Sequence, residues 1–212
     1  MTRIDTIFKY IKKSDIVADI GCDAALLSKR LAKKKIYSIS SDIKFNIINN
    51  AFMSTQEEAK KYISYRVGDG SSSLTEEDNI NTFVLSGMGS HTILNIISSS
   101  KILPDNIITI SNNDYKILRS GMQFLGYKIK EEVIIKENKK FYNLIFFIKG
   151  LDNLSQKELL IGVNHQNLTL LNEYLNERVV KLNKIINMIP DNNITDKNNL
   201  IIERDILQNE LF

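Results

Sequence analysis

At 212 residues, 43% hydrophobic and 25% charged, the chain has the composition of a globular protein with one ordinary domain and an appendage. A single cysteine, Cys22, excludes an intrachain disulfide framework and a Cys-rich zinc site. No apolar run reaches bilayer length, and the start Met1-Thr2-Arg3-Ile4-Asp5 lacks a signal-peptide pattern, so a cytoplasmic location, no membrane and no metal are expected. The net charge of +3 divides unevenly: 22 Lys+Arg against 16 Asp+Glu over residues 1–150 gives +6, and 6 against 9 over residues 151–212 gives −3. The basic part, with Lys12-Lys13, Lys29-Arg30 and Lys33-Lys34-Lys35, is either a solvated helix surface or a face for a polyanion.

Apolar residues at Ile4, Ile7, Phe8 and Ile11 have the spacing of one helix face. Residues 16–20 form a short apolar run that ends in Gly21 and reads as a buried strand. A helix is expected over 24–32, a strand over 36–40, a helix over 44–60, and strands over 62–67 and 81–86. Then come a helix over 92–98, a strand over 107–111, a helix over 115–125 closed by Gly126, and two strands over 127–136 and 141–149 flanking Glu137-Asn138-Lys139-Lys140. Alternating strands and helices that finish in an antiparallel hairpin predict an α/β fold of the Rossmann-like class I methyltransferase type, with a mostly parallel sheet covered on both faces. The pattern changes after Leu154. Leu168, Leu171, Leu175, Val179, Leu182, Ile186 and Ile189 step by three or four, Pro190-Asp191-Asn192-Asn193 breaks the run, and Leu200, Ile201, Leu207 and Leu211 mark another helix. The expected division is a Rossmann-like domain over 1–150 and a C-terminal coiled-coil-like helical hairpin over 151–212.

Four segments at the ends of successive parallel strands carry candidate chemistry. Asp19-Ile20-Gly21-Cys22-Asp23 follows the first strand, where a small residue lets backbone approach a ligand. Asp42, 23 residues after Asp19, stands where an acid accepts hydrogen bonds from a ribose diol, or caps the helix that begins near Lys44. Gly68-Asp69-Gly70 follows the third strand; Asp69 is an acceptor for an adenine amine or part of a plain turn. Ser86-Gly87-Met88-Gly89-Ser90 closes the fourth strand, with Met88 able to pack on a flat ligand. Each segment is a weak signal, but together they converge on the edge where open α/β sheets bind ligands.

Residues 16–23, Gly68-Asp69-Gly70 and Leu85-Ser86-Gly87-Met88-Gly89 resemble the bacterial tRNA (adenine-22-N1)-methyltransferases. The resemblance runs on through the strand at 107–111, the Leu118-Arg119 helix, the hairpin with Tyr142, and the helical region from Glu158-Leu159-Leu160-Ile161-Gly162. It implies an S-adenosylmethionine-dependent enzyme that methylates N1 of adenine 22 in tRNA and holds tRNA partly through its C-terminal arm, with no protein partner predicted. The residues it assigns to the cofactor are Asp19, Gly21, Cys22, Asp42, Ile43, Gly68, Asp69, Gly70, Gly87, Met88 and Gly89. Asp23 and Asn112 are the candidate catalytic residues. The chain departs from the family at Ala24 and Ser28, where the family has His and Pro. It also departs at Asp42 for Glu, at Ser90 for Gly, and at Ile110-Ser111-Asn112 for Gln-Pro-Asn. These departures fall more on positions facing the target base than on cofactor positions. Two further functions therefore stay open: a diverged homologue that binds S-adenosylmethionine or tRNA without turnover, and a methyltransferase of another substrate. Phe45 and Tyr115 are read as core residues or as stacking partners for a base, and His91 and His165 as structural.

Overall fold

A computed structural model of the chain describes residues 2–190 and 194–211. Helix α1 (Arg3–Tyr10) starts in a capping box: Thr2 Oγ1 accepts the Asp5 N–H at 3.1 Å, and the Asp5 carboxylate accepts the Thr2 N–H at 3.0 Å. There follow β1 (Val17–Ile20), α2 (Leu26–Ala32), β2 (Ser38–Asp42), α3 (Phe45–Met53), α4 (Glu57–Lys60), β3 (Ile63–Val67) and a 3₁₀ turn at Glu76–Asp78. The alternation continues through β4 (Thr82–Met88), α5 (Ser90–Ser99), β5 (Asn106–Ser111), α6 (Tyr115–Phe124), β6 (Tyr127–Glu137) and β7 (Lys140–Lys149). The strands form one seven-stranded sheet in the order β3-β2-β1-β4-β5-β7-β6. The first five run parallel and β7 lies antiparallel between β5 and β6. This is the Rossmann-like sheet that the alternation predicts.

Both faces of the sheet are covered, and the pleat decides which residue goes where. Val17, Val84, Ile108, Ile110, Leu144 and Phe146 pack beneath α1 and α2, whereas Ala18, Ile20, Phe83, Leu85, Ile107, Ile145 and Phe147 pack beneath α5 and α6. Strand order reverses between β1 and β4, which pair directly from Val17↔Thr82 to Ile20↔Leu85. The loops leaving these strands therefore diverge to opposite sides of the sheet, opening a crevice at its carboxyl edge.

The helix expected over 44–60 is two helices. The Ser54 hydroxyl donates to the Asn50 carbonyl at 2.6 Å and the Thr55 hydroxyl to the Ala51 carbonyl at 2.7 Å, so side chains compete with the backbone ladder and α3 stops at Met53. The β6–β7 connection is tighter than the sequence suggests. Glu137 pairs with Lys140, and Asn138 and Lys139 take φ of 49° and 63°, a two-residue loop of the twist-matched kind.

Beyond β7 lie α7 (Gln156–Ile161), α8 (Leu168–Met188) and α9 (Ile194–Gln208). Leu171, Leu175, Val179, Leu182 and Ile186 bury the predicted seam of α8 against Leu160, Ile161, Ile134 of β6 and Leu207 of α9; Leu168, the first seam residue, lies exposed. The expected break begins at Pro190, but Asp191, Asn192 and Asn193 fall outside the described residues. The short helix α7 is tied to the sheet by a buried ion pair. Arg119 of α6 meets Glu132 of β6 through Nε at 2.9 Å and Nη2 at 2.7 Å, with side-chain exposures of 1% and 0%. Its remaining donors reach the carbonyls of Leu159, Leu160 and Ile161 at the end of α7, at 2.8, 3.4 and 3.4 Å. Glu132 also accepts Asn143 Nδ2 at 2.6 Å and the Val163 N–H at 3.2 Å. Replacing Arg119 by Met strands a buried carboxylate and is expected to lower the unfolding free energy by about 3–5 kcal/mol. The double variant Arg119→Met/Glu132→Leu should recover part of that loss. Urea titration of both variants checks this, and a single variant within about 1 kcal/mol of wild type would refute it.

Candidate functional site

The first loop is held by its own backbone. Gly21 and Cys22 donate their N–H groups to the Ser41 carbonyl of β2 at 2.8 and 3.0 Å. The chain then turns through left-handed residues, with φ of 71° at Gly21, 49° at Asp23 and 53° at Ala25. Gly21 takes this conformation freely, and an Asp tolerates it better than most residues, but a buried alanine there is unusual. The turn starts α2 and leaves Asp23 exposed, with no side-chain hydrogen-bond partner among the described residues. The fourth loop comes up against the first: a Cβ on Gly21 would stand 2.2 Å from Met88 Cε. Met88 therefore spans the crevice between the β1 and β4 loops, packed on a glycine rather than exposed to a ligand on every side. Gly87, at φ 85°, has open space where a side chain would be.

The second and third loops share this edge. Asp42 accepts the Lys44 N–H at 3.0 Å, and its carbonyl accepts the Gly68 N–H at 3.0 Å. Asp42 is not the helix cap that is the alternative reading for it: α3 begins at Phe45 with Lys44 as its N-cap and no side-chain cap bond. Asp42 only closes the turn before it, its other carboxylate oxygen having no protein partner among the described residues. Ile43 beside it is 60% exposed. Asp69 is exposed, whereas Gly68 and Gly70 are explained by the protein itself: a Cβ would stand 2.6 Å from Ser73 Cβ or 2.9 Å from Ile96 Cγ1. Cys22 is turned inward among Ala25, Ile48 and Ala51, and burial, with the nearby Asp19 and Asp42 charges, pushes its thiol up to about 12. It fills space and is no nucleophile.

Asp19 is the electrostatic oddity. It sits at the end of β1 beneath α2, 8% exposed, with one hydrogen bond, from the Ser28 hydroxyl at 3.5 Å. Burial pushes its carboxyl up to about 7, partly offset by Ser28. Ser40, its neighbour across the β1–β2 ladder, has a buried hydroxyl without a partner. An under-satisfied carboxylate at the mouth of a glycine turn fits a cationic group, such as an ammonium, better than it fits any protein partner present.

Asn112 is brought into the same crevice. Its Nδ2 donates to the Gly87 carbonyl at 2.7 Å and its N–H to the Met88 carbonyl at 2.8 Å, so the β5 loop is pinned to the β4 loop and Oδ1 keeps no partner among the described residues. Tyr115 is a structural residue. Its hydroxyl donates to the Ser111 carbonyl at 2.7 Å and accepts the Asn143 N–H at 2.9 Å, and burial raises its pKa. Phe45 departs from the core reading, being 71% exposed beside Ile43. His91 is exposed. His165 is half-buried, and its Nε2 lies 3.0 Å from the Ile161 carbonyl. Sequence reasoning missed the clamp behind Asn112. The Ser90 hydroxyl lies 2.9 Å from the Ser111 hydroxyl and donates to the Asn113 carbonyl at 2.6 Å, while the Ser90 N–H donates to Asn113 Oδ1 at 3.2 Å. Ser90, Asn113 and Ser111 thus lock the α5 start to the β5 end; the Ser in place of a glycine was the one available signal. A cleft of about 720 Å³ opens beside Asn112 between α6, the β6–β7 hairpin and α8.

Residues 1–145 match the family described as Methyltransferase domain. The tRNA (adenine(22)-N(1))-methyltransferase of Bacillus subtilis (strain 168) is 26% identical over 157 residues, 68% of this chain. The match spans 62% of that relative, less than two thirds of its length. The solved structure of a B. subtilis m1A22 tRNA methyltransferase is similar over 100% of this chain and 98% of its own, with TM-score 0.86 at 20% identity. That of M. capricolum TrmK in complex with S-adenosyl-homocysteine covers 99% of this chain and 96% of its own, with TM-score 0.86 at 27% identity. Among the described residues no helix is long and apolar enough to cross a membrane, and no cluster of His, Cys, Asp and Glu could hold a metal.

A carboxyl raised to about 7 by burial binds its proton more tightly in the folded state than in the unfolded state, where its pKa is near 3.9. Between those values the folded state holds the extra proton, so the contribution of Asp19 to stability falls as pH rises from about 4 to about 7 and then levels. Asp19→Asn removes this penalty. The variant should match wild type near pH 4 and exceed it by roughly 1–3 kcal/mol above pH 7, as measured by denaturant titration across pH. A constant difference across that range would show that Asp19 is not buried as a strained carboxyl.

Proposed function

Because the chain belongs to the methyltransferase-domain family, we propose that it is an S-adenosylmethionine-dependent tRNA methyltransferase acting on N1 of adenine 22. The observation that carries this reading is the convergence of the β1, β2, β4 and β5 loops on one crevice, with Asn112 bonded to the Gly87 carbonyl at its centre. When bound, S-adenosylmethionine supplies a sulfonium-activated methyl group for in-line attack by the N1 lone pair. Asp19 and the Gly21 turn would hold its methionine end, Asp42 would take the ribose, and Ile43 and Asp69 would border the adenine; Gly68, Gly70, Cys22 and Gly89 would shape the backbone around it. Met88, packed on Gly21, would border the methyl donor, and Gly87 would leave room beside it for the target base. Adenine N1 lies on the pairing edge, so the base must leave its stack to enter.

The roles of Asp23 and Asn112 follow from the charge that develops. Methylated N1 makes the ring cationic, and the exposed, unpaired carboxylate of Asp23 stabilises that charge. Asn112, oriented by its bond to Gly87, presents Oδ1 as an acceptor for the exocyclic amine. No proton has to leave N1 before attack, so positioning supplies most of the acceleration. The same reading divides the chain into a catalytic domain over 1–150 and a tRNA-holding helical arm over 151–212, and places it in the cytoplasm. Nucleoside mass spectrometry of an unmodified tRNA transcript incubated with the protein and cofactor should detect N1-methyladenosine, lost when position 22 is changed. Asp23→Asn should lower kcat by about 10²–10³-fold while calorimetry shows unchanged cofactor affinity. Cofactor binding without methylated product would identify a diverged binding protein instead.

A further inference from the structure

The arm carries three more acidic than basic residues, 9 against 6 over residues 151–212, which is a poor composition for a surface that meets phosphates. The structure resolves where those charges go. In the cleft beside Asn112, Glu177 is paired with Lys181 at 2.5 Å, and Glu203 with Arg178 at 2.5 Å. The arm's acids on this wall are thus neutralised by the arm's own cations. The opposite wall carries Lys116, in the first turn of α6, and Lys140, at the start of β7. Both are exposed, and neither has a carboxylate partner among the described residues. One exposed acid, Asp114, offsets them, and the half-buried rings of Phe141 and Tyr174, 5.9 Å apart, line the floor between the walls.

Topology places this cleft on the right edge of the sheet. Lys116 follows β5 directly, at the carboxyl edge where the four loops converge. β7 runs antiparallel to β5 with Ile110 opposite Leu144, so Lys140 lies four residues past that pair and overhangs the end of β5 at Ser111 by about 10 Å. The lysine triplet Lys33-Lys34-Lys35 lies elsewhere. It ends α2 and precedes β2, so it sits at the amino edge, a strand length away from the crevice.

We propose that the cleft between α6, the hairpin tip and α8 seats the tRNA strand next to the target adenine. Lys116 and Lys140 are its phosphate contacts, and the aromatic floor receives a flanking base. This assignment rests on the tRNA reading above. Its chemistry is the usual one for an unpaired strand: cations along the backbone and rings beneath the bases. The cleft volume of about 720 Å³ also suits a group of nucleotide size.

The test compares two charge reversals of equal size. Lys116→Glu/Lys140→Glu should weaken binding of an unmodified tRNA transcript at least ten-fold and flatten the slope of log affinity against log salt by about 1.4–1.8, the value for two lost phosphate contacts. Cofactor affinity by calorimetry should not change. Lys33→Glu/Lys34→Glu should bind tRNA within two-fold of wild type. The milder Lys116→Gln/Lys140→Gln should give an intermediate loss, and keeps the test valid if the double Glu variant melts early. Wild-type binding by the cleft variants, or equal losses from both reversals, overturns the cleft assignment alone, provided that wild type methylates tRNA. If wild type neither binds nor methylates tRNA, the substrate reading falls and the cleft assignment falls with it.

Discussion

The Arg119–Glu132 pair is the constraint on which the arrangement of the molecule turns. A guanidinium has five N–H donors, and here all five are used: two on the Glu132 carboxylate and three on the last carbonyls of α7. Those carbonyls are the ones a helix end leaves unpaired, and a buried cation is also favoured there by the helix dipole. The pair is therefore both a bond between α6 and β6 and the C-terminal cap of the first helix beyond the sheet. Gly162 shows how tight the fit is. Its φ is 95°, and a Cβ there would stand 2.5 Å from Glu132 Oε1, so only glycine lets the chain leave α7 past the carboxylate. A buried pair of this kind adds little net stability compared with apolar packing, but it permits few alternative geometries. Its consequence is positional, because α8 reaches the cleft only after the chain has passed this point.

The opposite side of the same argument concerns the crevice. Strand order reverses between β1 and β4, so their loops face each other, and Gly21 and Met88 come into contact across the gap. Asn112 then joins the β5 loop to the β4 loop by two hydrogen bonds, and the serine clamp of Ser90 and Ser111 fixes it from behind. Each tie is made by short polar side chains or backbone, leaving no long flexible side chain except Met88 to blur the positions of Asp19, Asp23 and Asn112. A reaction that depends on holding two reactants in line needs this rigidity more than it needs an acid or a base.

Much of this was legible in the sequence, for identifiable reasons. Periodicity exposed the strands and the α8 seam because burial there is one-sided and regular. The β1 loop was legible because the left-handed turn demands a glycine at position 21. The broken helix at Ser54 was not, since its cause is two hydroxyls that bond backward to Asn50 and Ala51, and the same residues occur within many intact helices. Nor was the burial of Arg119. It occupies the apolar stripe of α6 with Tyr115, Leu118 and Met122, and an arginine in such a stripe reads as an edge residue until its partner is known. That partner, Glu132, faces inward only because the β6 register shifts between Ile129 and Glu131, which no alternation pattern announces. The glycines at 68 and 70 have a second reason that no spacing announces: Ser73 and Ile96 leave no room for a Cβ there.

Net charge is the property most easily misread in this chain. A sum over residues 151–212 makes the arm acidic, and a sum over residues 1–150 draws attention to the lysine triplet. Screening removes most of the effect of exposed charges beyond about 8–10 Å at physiological salt, so what a strand of RNA meets is the local arrangement and not the sum. Locally, the acids of α8 and α9 on the cleft wall already have cations, and the triplet lies at the wrong end of α2. Among the described residues lining the cleft, the cations without a carboxylate partner come from the core: Lys116 in the first turn of α6 and Lys140 at the hairpin tip. On this account the arm serves as a wall that shapes the cleft and contributes the Tyr174 ring and neutralised pairs, while the sheet domain supplies Phe141 and the charge. The order of the last strands then has a functional reason. Placing β7 antiparallel between β5 and β6 turns the hairpin tip toward the carboxyl edge, which sets Lys140 opposite α8 and, on the proposed reading, closes the cleft around a strand entering the crevice.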